Sequence, residues 1–560
     1  MDYYIQLKKA NCKNCYKCIR HCPVKSIRFA DHQAHIVKDQ CILCGECVVV
    51  CPQNAKQIKN DVSIVKDMIQ KSRPVYASIA PSFVANFEGA DIKSMEAALK
   101  KLGFSGAFET ALGATIVKKQ YEEMIRQNKA KIIISSCCHS VNSLIQKYYP
   151  EVLPYLANVI SPMQANCLSI KEMHPDASIV FIGPCISKKE EADQYPDIVD
   201  CVLTFEELSG WMEEEGVTLS KSISMDDSDE GRARLFPIPG GIIRSMDTWN
   251  TDFDYLAIDG TENCIRALND IIQGNIENCF IEMSACLGSC TGGPAIDKER
   301  RKPVADYIAV NRYARKKDFS IQVPTENILK KNFPYLGQSN PMPGSSAIKE
   351  ILHKMGKSSQ DQELNCGSCG YNTCREKAVA VLQGKADLTM CLPFLKEKAE
   401  NFSDNILYNM PNGVLVLDED LIVQQINRAA KEILNLKSKN DILGAPVVRI
   451  LNPSIYLEVM TTGKNIHDRH TYLAEYQRYV EETIIYDRTY HIIISIIRDI
   501  TVEEIARIKK EEVSRQTIDI TDKVIEKQMR VVQEIASLLG ETTAETKIAL
   551  TNLKETLKNE

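Results

Sequence analysis

Residues 12–23 read CKNCYKCIRHCP, and residues 41–52 repeat the spacing as CILCGECVVVCP. Both follow C-x2-C-x2-C-x3-C-P. Three closely spaced thiolates can grip three irons of one cubane, while the fourth cysteine, steered away by its proline, serves the other cluster. This reading puts Cys12, Cys15, Cys18 and Cys51 on one [4Fe–4S] cluster, and Cys22, Cys41, Cys44 and Cys47 on a second. Zinc sites usually show paired C-x2-C instead.

Working outward, the chain has 21 cysteines in 560 residues, eight of them before residue 52. A chain of this length buries its cores without disulfide staples, so clustered cysteines read as metal ligands in a cytoplasmic protein. There is no run of eighteen apolar residues, and Met1 to Ala10 is too polar for a secretory signal, so no membrane association is expected. A net charge of −6 gives no broad pull toward nucleic acid. The length implies about three to five domains. The first sixty residues resemble bacterial two-cluster ferredoxins, which implies one-electron transfer.

From Pro74 to about Leu352, short apolar runs (Val75 to Ala80, Lys131 to Ser135, Ser178 to Ile182, Asn278 to Met283) alternate with helix-like stretches such as Ile92 to Leu102 and Thr115 to Gln127. That alternation predicts an α/β domain. The last three runs lead into Cys137-Cys138, Cys185, and Cys286 with Cys290. Strand C-terminal ends are where α/β proteins commonly build sites.

Three segments carry a family resemblance: Ser135-Ser136-Cys137-Cys138, Gly183-Pro184-Cys185-Ile186-Ser187-Lys188-Lys189-Glu190-Glu191, and Glu282-Met283-Ser284-Ala285-Cys286-Leu287-Gly288-Ser289-Cys290. They resemble the H-cluster motifs of [FeFe]-hydrogenases, TSCCPxW, MPCxxKxxE and ExMACxxGCxxGG. The resemblance covers roughly residues 1 to 350. It implies that Cys138, Cys185, Cys286 and Cys290 ligate a [4Fe–4S] cubane, with Cys290 bridging to a diiron subcluster bearing CO, cyanide and a dithiolate. It also implies that Lys188 holds a cyanide by a charge-assisted hydrogen bond and that Cys137 relays protons. Ala80-Pro81-Ser82 resembles the segment that packs near the dithiolate. A thiol suits a relay because its pKa lies closer to neutral than a hydroxyl's.

The departures from that pattern matter. Gly183 and Ser284 replace methionines, Met163 replaces a glutamine, and His139 and Asn142 replace the proline and tryptophan after the cysteine pair. Members of the family relay protons outward through glutamate, serine and glutamate. Here Lys119 stands at the first, Ala157 at the serine and Glu122 at the second, with Arg126 retained. A charged lysine cannot accept a proton and alanine cannot relay one, so slow turnover is expected. His139 either offers another route or simply packs. Cys167, Cys201, Cys264 and Cys279 fit no ligand spacing and read as buried small hydrophobes.

After a polar linker, Lys357 to Gln362, come Cys366, Cys369, Cys374 and Cys391. The C-x2-C-x4-C-x16-C spacing resembles a small [4Fe–4S] module; structural zinc is the alternative. A helix is expected from Arg375 to Gln383. Residues 400–505 lack cysteine. A short helix at Asn405 to Met410, strands at Gly413 to Asp418, Leu421 to Ile426, Thr483 to Tyr486 and Tyr490 to Ile497, the Asn427-Arg428-Ala429-Ala430 helix start and Asp499-Ile500-Thr501 together resemble a PAS domain. His467, His470 and His491 are its only cofactor-anchor candidates, and surface or packing roles fit them better. Beyond Glu503 the chain reads as helical. Ile525, Met529, Val532, Ile535 and Leu539 form an apolar stripe, with Gly540 as a break and Thr542 with Glu545 as a capping box.

The expected architecture is therefore multidomain α/β and α+β. It comprises a two-cluster ferredoxin-like module (1–62), an H-cluster domain (73–355), a small [4Fe–4S] module (360–397), a PAS domain (400–502) and C-terminal helices (503–560). The expected function is a sensory hydrogenase that cleaves H2 slowly and reversibly. Its partners would be H2, protons, a ferredoxin-type carrier, a downstream signalling protein and a second copy of the chain. The alternatives are a catalytic ferredoxin-linked hydrogenase, or an iron–sulfur electron carrier without the diiron subcluster.

Overall fold

The computed structural model describes residues 3–8, 11–71, 73–219, 229–247, 250–296, 302–322, 324–337, 342–437, 442–539 and 544–558. It divides into two compact units, Met1–Phe394 and Leu395–Glu560. Among the described residues, no helix is long and apolar enough to cross a membrane.

The first unit opens with a pseudo-twofold module. Strand β1 (Ile5–Leu7) pairs antiparallel with β4 (Lys56–Ile58), and β2 (Ile27–Ala30) with β3 (Gln33–Ile36). A short helix lies inside each cysteine repeat, Lys17–His21 in the first and Glu46–Val49 in the second.

Two parallel sheets follow. One has the order β6 (Gly106–Glu109), β5 (Val75–Ile79), β8 (Ser178–Gly183), β9 (Cys201–Thr204). The other has the order β10 (Asp254–Asp259), β11 (Cys279–Ser284), β7 (Ile132–Ile134). The expected apolar runs all become strands. Ile132, Ile133 and Ile134 are all buried, as parallel strands covered on both faces require. The helix predicted to start at Thr115 begins earlier, at Thr110, and runs to Gln127. Cys167, Cys201, Cys264 and Cys279 are buried in the apolar cores around these sheets.

Lys357 to Gln362 is not a free linker. Lys357 is buried and donates to the Gln362 carbonyl, and residues Gln360–Gln362 form a 3-10 turn. The helix after Cys369 spans Cys374–Leu382.

In the second unit, β12 (Gly413–Asp418), β13 (Val423–Ile426), β14 (Ile466–Leu473), β15 (Arg478–Asp487) and β16 (Ile492–Asp499) form one antiparallel sheet in the order β13-β12-β16-β15-β14. The short helix expected at 405–410 is the end of a longer one, Leu392–Asn409. β14 was not anticipated, because its residues are mostly exposed and polar. Asn427 fixes the corner: its Oδ1 accepts from Val414 N and Ala430 N, and its Nδ2 donates to the Leu407 and Asn412 carbonyls. His470 and His491 lie on the surface against glutamates, and His467 is exposed.

The last helices run Thr501–Leu539 and Ala544–Lys558, tied by Lys554 to Asp522 at 3.0 Å. Ile525, Met529 and Val532 are half-buried, whereas Ile535 is exposed. Gly540 and Thr542, and the side chains of Leu539 and Glu545, lie outside the described residues.

One buried network ties the N-terminal module to the α/β domain. Lys189 Nζ donates to Asp61 at 2.8 Å, to Glu207 at 3.0 Å and to the Val202 carbonyl at 2.9 Å. Removing the cation leaves two buried carboxylates facing each other, a change that typically costs about 3–5 kcal/mol. Lys189→Met is therefore expected to destabilise the first unit by that amount in urea unfolding, and an unchanged midpoint would refute the linkage.

Candidate metal centre

Each strand end delivers what the spacing promised. β7 runs into Ser135 to Cys138, β8 into Pro184 and Cys185, and β11 into Cys286 and Cys290. β7 and β11 neighbour each other in one sheet, whereas β8 belongs to the other. Their C-terminal ends nevertheless meet. Cys138, Cys185, Cys286 and Cys290 all line one mostly apolar cavity of about 130 Å3, together with Cys137, Lys188, His139 and Ala80-Pro81-Ser82.

The thiols respond to their company. Burial, followed by the neighbouring sulfurs, pushes Cys138, Cys286 and Cys290 above the ordinary thiol value. Such a donor set ionises readily only around a cationic core. Among the described residues, no three His, Cys, Asp or Glu side chains close on a single ion. The four cysteines instead surround a space, as a cluster of several irons needs. The Ser82 hydroxyl, buried at the cavity wall, has no protein partner. Space beyond the thiols and an orphaned donor both fit a larger group than a lone ion.

Lys188 donates to the Cys137 carbonyl at 3.2 Å and pairs with Glu191. Glu191 also accepts from Lys331 at 2.9 Å. Against the cost of burial, the two lysines hold the Glu191 carboxyl far below its usual range. The same carboxylate offsets desolvation and keeps Lys188 charged.

Cys137 lies at the cavity wall beside Cys138. Burial pushes it up to about 12, even with the Tyr121 hydroxyl 3.2 Å from its Sγ. Tyr121 was not singled out from sequence, because a tyrosine inside an amphipathic helix reads as core. Glu282 was quoted only as the start of a motif, yet it lines the cavity and its charge is felt at Cys137. Its Oε2 accepts from Ile242 N at 2.9 Å and Ile243 N at 3.1 Å.

The outer relay positions lie elsewhere. Lys119, Glu122 and Ala157 do not line the cavity. Glu122 accepts from Asp247 N at 2.6 Å, Ala157 is buried, and Arg126 pairs with Glu123 at the surface. His139 Nε2 lies 3.0 Å from Glu190, so its ring has a structural partner.

The other cysteines also gather in sets. Cys22, Cys41, Cys44 and Cys47 line one small cavity, which crosses the two repeats. Backbone amides donate to sulfur from Ser26 to Cys22, from Leu43 to Cys41 and from Ala55 to Cys51. Cys18 feels the charges of Cys15, Cys12 and Cys51. Cys366, Cys369, Cys374 and Cys391 line a third cavity. Cys44 also lines the central cavity. This approach depends on Gly45, where a Cβ would fall 2.4 Å from Pro294, four residues after Cys290.

Burial raises Glu282 to about 7, opposed by the amides of Ile243 and Ile242. A carboxyl whose folded pKa is raised contributes stability below its unfolded value near 4.5, and loses it as pH climbs through 7. Glu282→Gln should remove this decline, which is worth up to about 3 kcal/mol. Urea unfolding of both proteins between pH 4.5 and 8 checks it, and parallel pH profiles would show Glu282 to be unperturbed.

Comparison with known proteins agrees with this layout. Residues 73–253 and 244–294 match the family described as iron only hydrogenase large subunit, C-terminal domain. Residues 4–67 match a 4Fe-4S dicluster domain, and residues 362–393 match an Fe-S cluster family. The periplasmic [Fe] hydrogenase large subunit of Nitratidesulfovibrio vulgaris is 25% identical over 363 residues, covering 52% of this chain and 86% of the relative. Iron hydrogenase 1 of Clostridium pasteurianum is 25% identical over 346 residues, covering 50% of this chain and 59% of the relative. The cytosolic Fe-S cluster assembly factor NAR1 of Yarrowia lipolytica is 25% identical over 217 residues, covering 34% and 44%. Among solved structures, one describing stepwise H-cluster assembly in an [FeFe]-hydrogenase covers 50% of this chain and 100% of its own, with 16% identity and a TM-score of 0.40. With cysteine sets that match these segments, the chain is a hydrogenase-like iron–sulfur protein.

Proposed function

We propose that the chain is a sensory hydrogenase, one that splits H2 reversibly and slowly and reports it through its second unit. The observation that carries this reading is the meeting of Cys138, Cys185, Cys286 and Cys290 at one cavity that also admits Cys137, Lys188 and the unpartnered Ser82 hydroxyl. Those four thiolates would hold a [4Fe–4S] cubane, with Cys290 shared by a diiron group carrying CO and cyanide. Bound there, that group would supply the redox chemistry for splitting H2. Lys188 would orient a cyanide, its charge maintained by Glu191.

Cys137 Sγ would carry the proton, with Tyr121 Oη against it and Glu282 facing it. Slow turnover follows from the missing outer steps. Lys119 and Ala157 offer no acceptor on the usual path, and the Glu122 carboxylate is engaged by Asp247 N.

The second unit supports the sensory half. Its five-stranded antiparallel sheet, the Asn427 corner and the Asp499–Thr501 contacts at the exit to the long helix are consistent with a PAS domain. PAS domains sense small molecules, redox state or partners, and signal through others. The helices from Thr501 onward would carry the output to a second copy of the chain and a signalling protein.

The test is to load the purified protein with iron–sulfur clusters and a synthetic diiron cofactor, then record infrared spectra and H2 turnover. Carbonyl and cyanide bands with turnover far below that of a bulk hydrogenase are expected. Turnover at bulk rates would favour a ferredoxin-linked catalytic enzyme. No bands would reduce the chain to an electron carrier or to a role nearer the assembly factors among its relatives.

A further inference from the structure

The electron route among the three outer cysteine sets can be read from how they pack. Within the first unit, the Cys366–Cys391 segment lies on the N-terminal module. Ile19, Cys22, Cys369, Tyr371 and Met390 share one apolar core. Arg20 donates to the Gly367 carbonyl at 3.3 Å and to the Ser368 carbonyl at 3.2 Å, and Phe29 N donates to the Lys385 carbonyl at 2.8 Å.

Lys25 sits at the seam. Its Nζ donates to Ile19 O at 3.2 Å and Arg20 O at 3.0 Å on one side, and to Gly370 O at 3.0 Å on the other. The sulfurs whose charge it feels are Cys22 and Cys369, one from each module, with Glu376 and Glu262 as its acidic neighbours. Gly370 has φ +92°, and a Cβ there would lie 3.0 Å from Ile19 and 3.2 Å from Arg20 N. Gly370 therefore lets its segment close directly onto the Ile19 side chain and the Arg20 amide. Cys12, Cys15, Cys18 and Cys51 take no part in these hydrogen bonds.

We propose that Lys25 is a positioning residue that joins the Cys366–Cys391 set to the Cys22–Cys41–Cys44–Cys47 set, making these two sets direct one-electron partners, with its charge favouring the reduced form of both. One electron passes from a reduced cluster on the Cys22 set to an oxidised cluster on the Cys366 set. No bond forms or breaks, and no proton moves. The N-terminal module then works as a fork. Its Cys22 set lines the central cavity through Cys44, and Cys22 shares an apolar core with Cys369 of the C-terminal set, while the Cys12 set, whose Cys18 borders the same core, forms the other branch. The inference rests on iron–sulfur clusters at both sets, not on hydrogen chemistry.

The test uses the full chain with reconstituted clusters and no diiron group, titrated with dithionite and followed by electron paramagnetic resonance after iron content is checked. In wild type, the signals of the Cys22 and Cys366 sets should broaden each other. Gly370→Val, strained at its φ and pressing on Ile19, should remove that broadening while iron is retained. Lys25→Gln should lower the reduced-to-oxidised ratio of these two clusters at a fixed potential roughly tenfold, the scale of one charge at close range. The cluster on the Cys12 set should be unmoved, and Lys25→Arg should restore the wild-type ratio. Equal shifts in all clusters, unchanged ratios, absent broadening, or zinc in place of iron at the Cys366 set would each overturn the proposal. Absence of carbonyl bands in the matured protein would sink the hydrogenase reading and leave these titrations intact.

Discussion

Everything in the first unit depends on the cost of crowding four sulfurs around one mostly apolar cavity. Neutral thiols could pack there as small hydrophobes, but thiolates could not coexist without a cation among them. Desolvation and mutual repulsion oppose ionisation at Cys138, Cys286 and Cys290 alike. A metal core changes the sign of that balance, because binding energy becomes folding energy for the loops that carry the ligands. The two parallel sheets, with the central strands β8 and β11 buried, supply the rigidity that holds separate strand ends together before the metal arrives.

The same economy explains the N-terminal module. Its sheets are short, two strands each, and its helices barely exceed one turn. Little in such a module is self-supporting. It is held by contacts with its neighbours, by the Asp61–Lys189–Glu207 network on one side and by Lys25 and Arg20 on the other. Close packing of these parts also keeps the cysteine sets near one another, which one-electron traffic requires.

Much of this was legible in the sequence, because cysteine spacing is a direct record of cluster geometry. The cross-pairing of Cys22 with Cys41, Cys44 and Cys47 followed from two prolines, and the structure gathers those four at one cavity. Strand ends could be read from apolar runs that stop at cysteine. What escaped were residues whose role is set by tertiary neighbours. Tyr121 looks like core until its hydroxyl is found against Cys137. Glu282 reads only as the first residue of a motif until the start of the helix at Gly241 closes over it. Lys118, beside the anticipated Lys119, is the lysine that is fully buried, paired with Asp247 and Asp318. Helical periodicity alone does not distinguish them. The polar strand β14 escaped for a related reason, since an exposed edge carries no alternating pattern.

The Lys188–Glu191–Lys331 chain has a consequence for what can settle in the cavity. Two ammonium groups share a single carboxylate, so the Lys188 side of the wall, away from Glu282, carries a surplus of positive charge where water cannot easily screen it. A neutral occupant leaves that surplus standing. An occupant bearing negative charge at its rim cancels it, so the protein selects its guest by valence before any finer recognition begins.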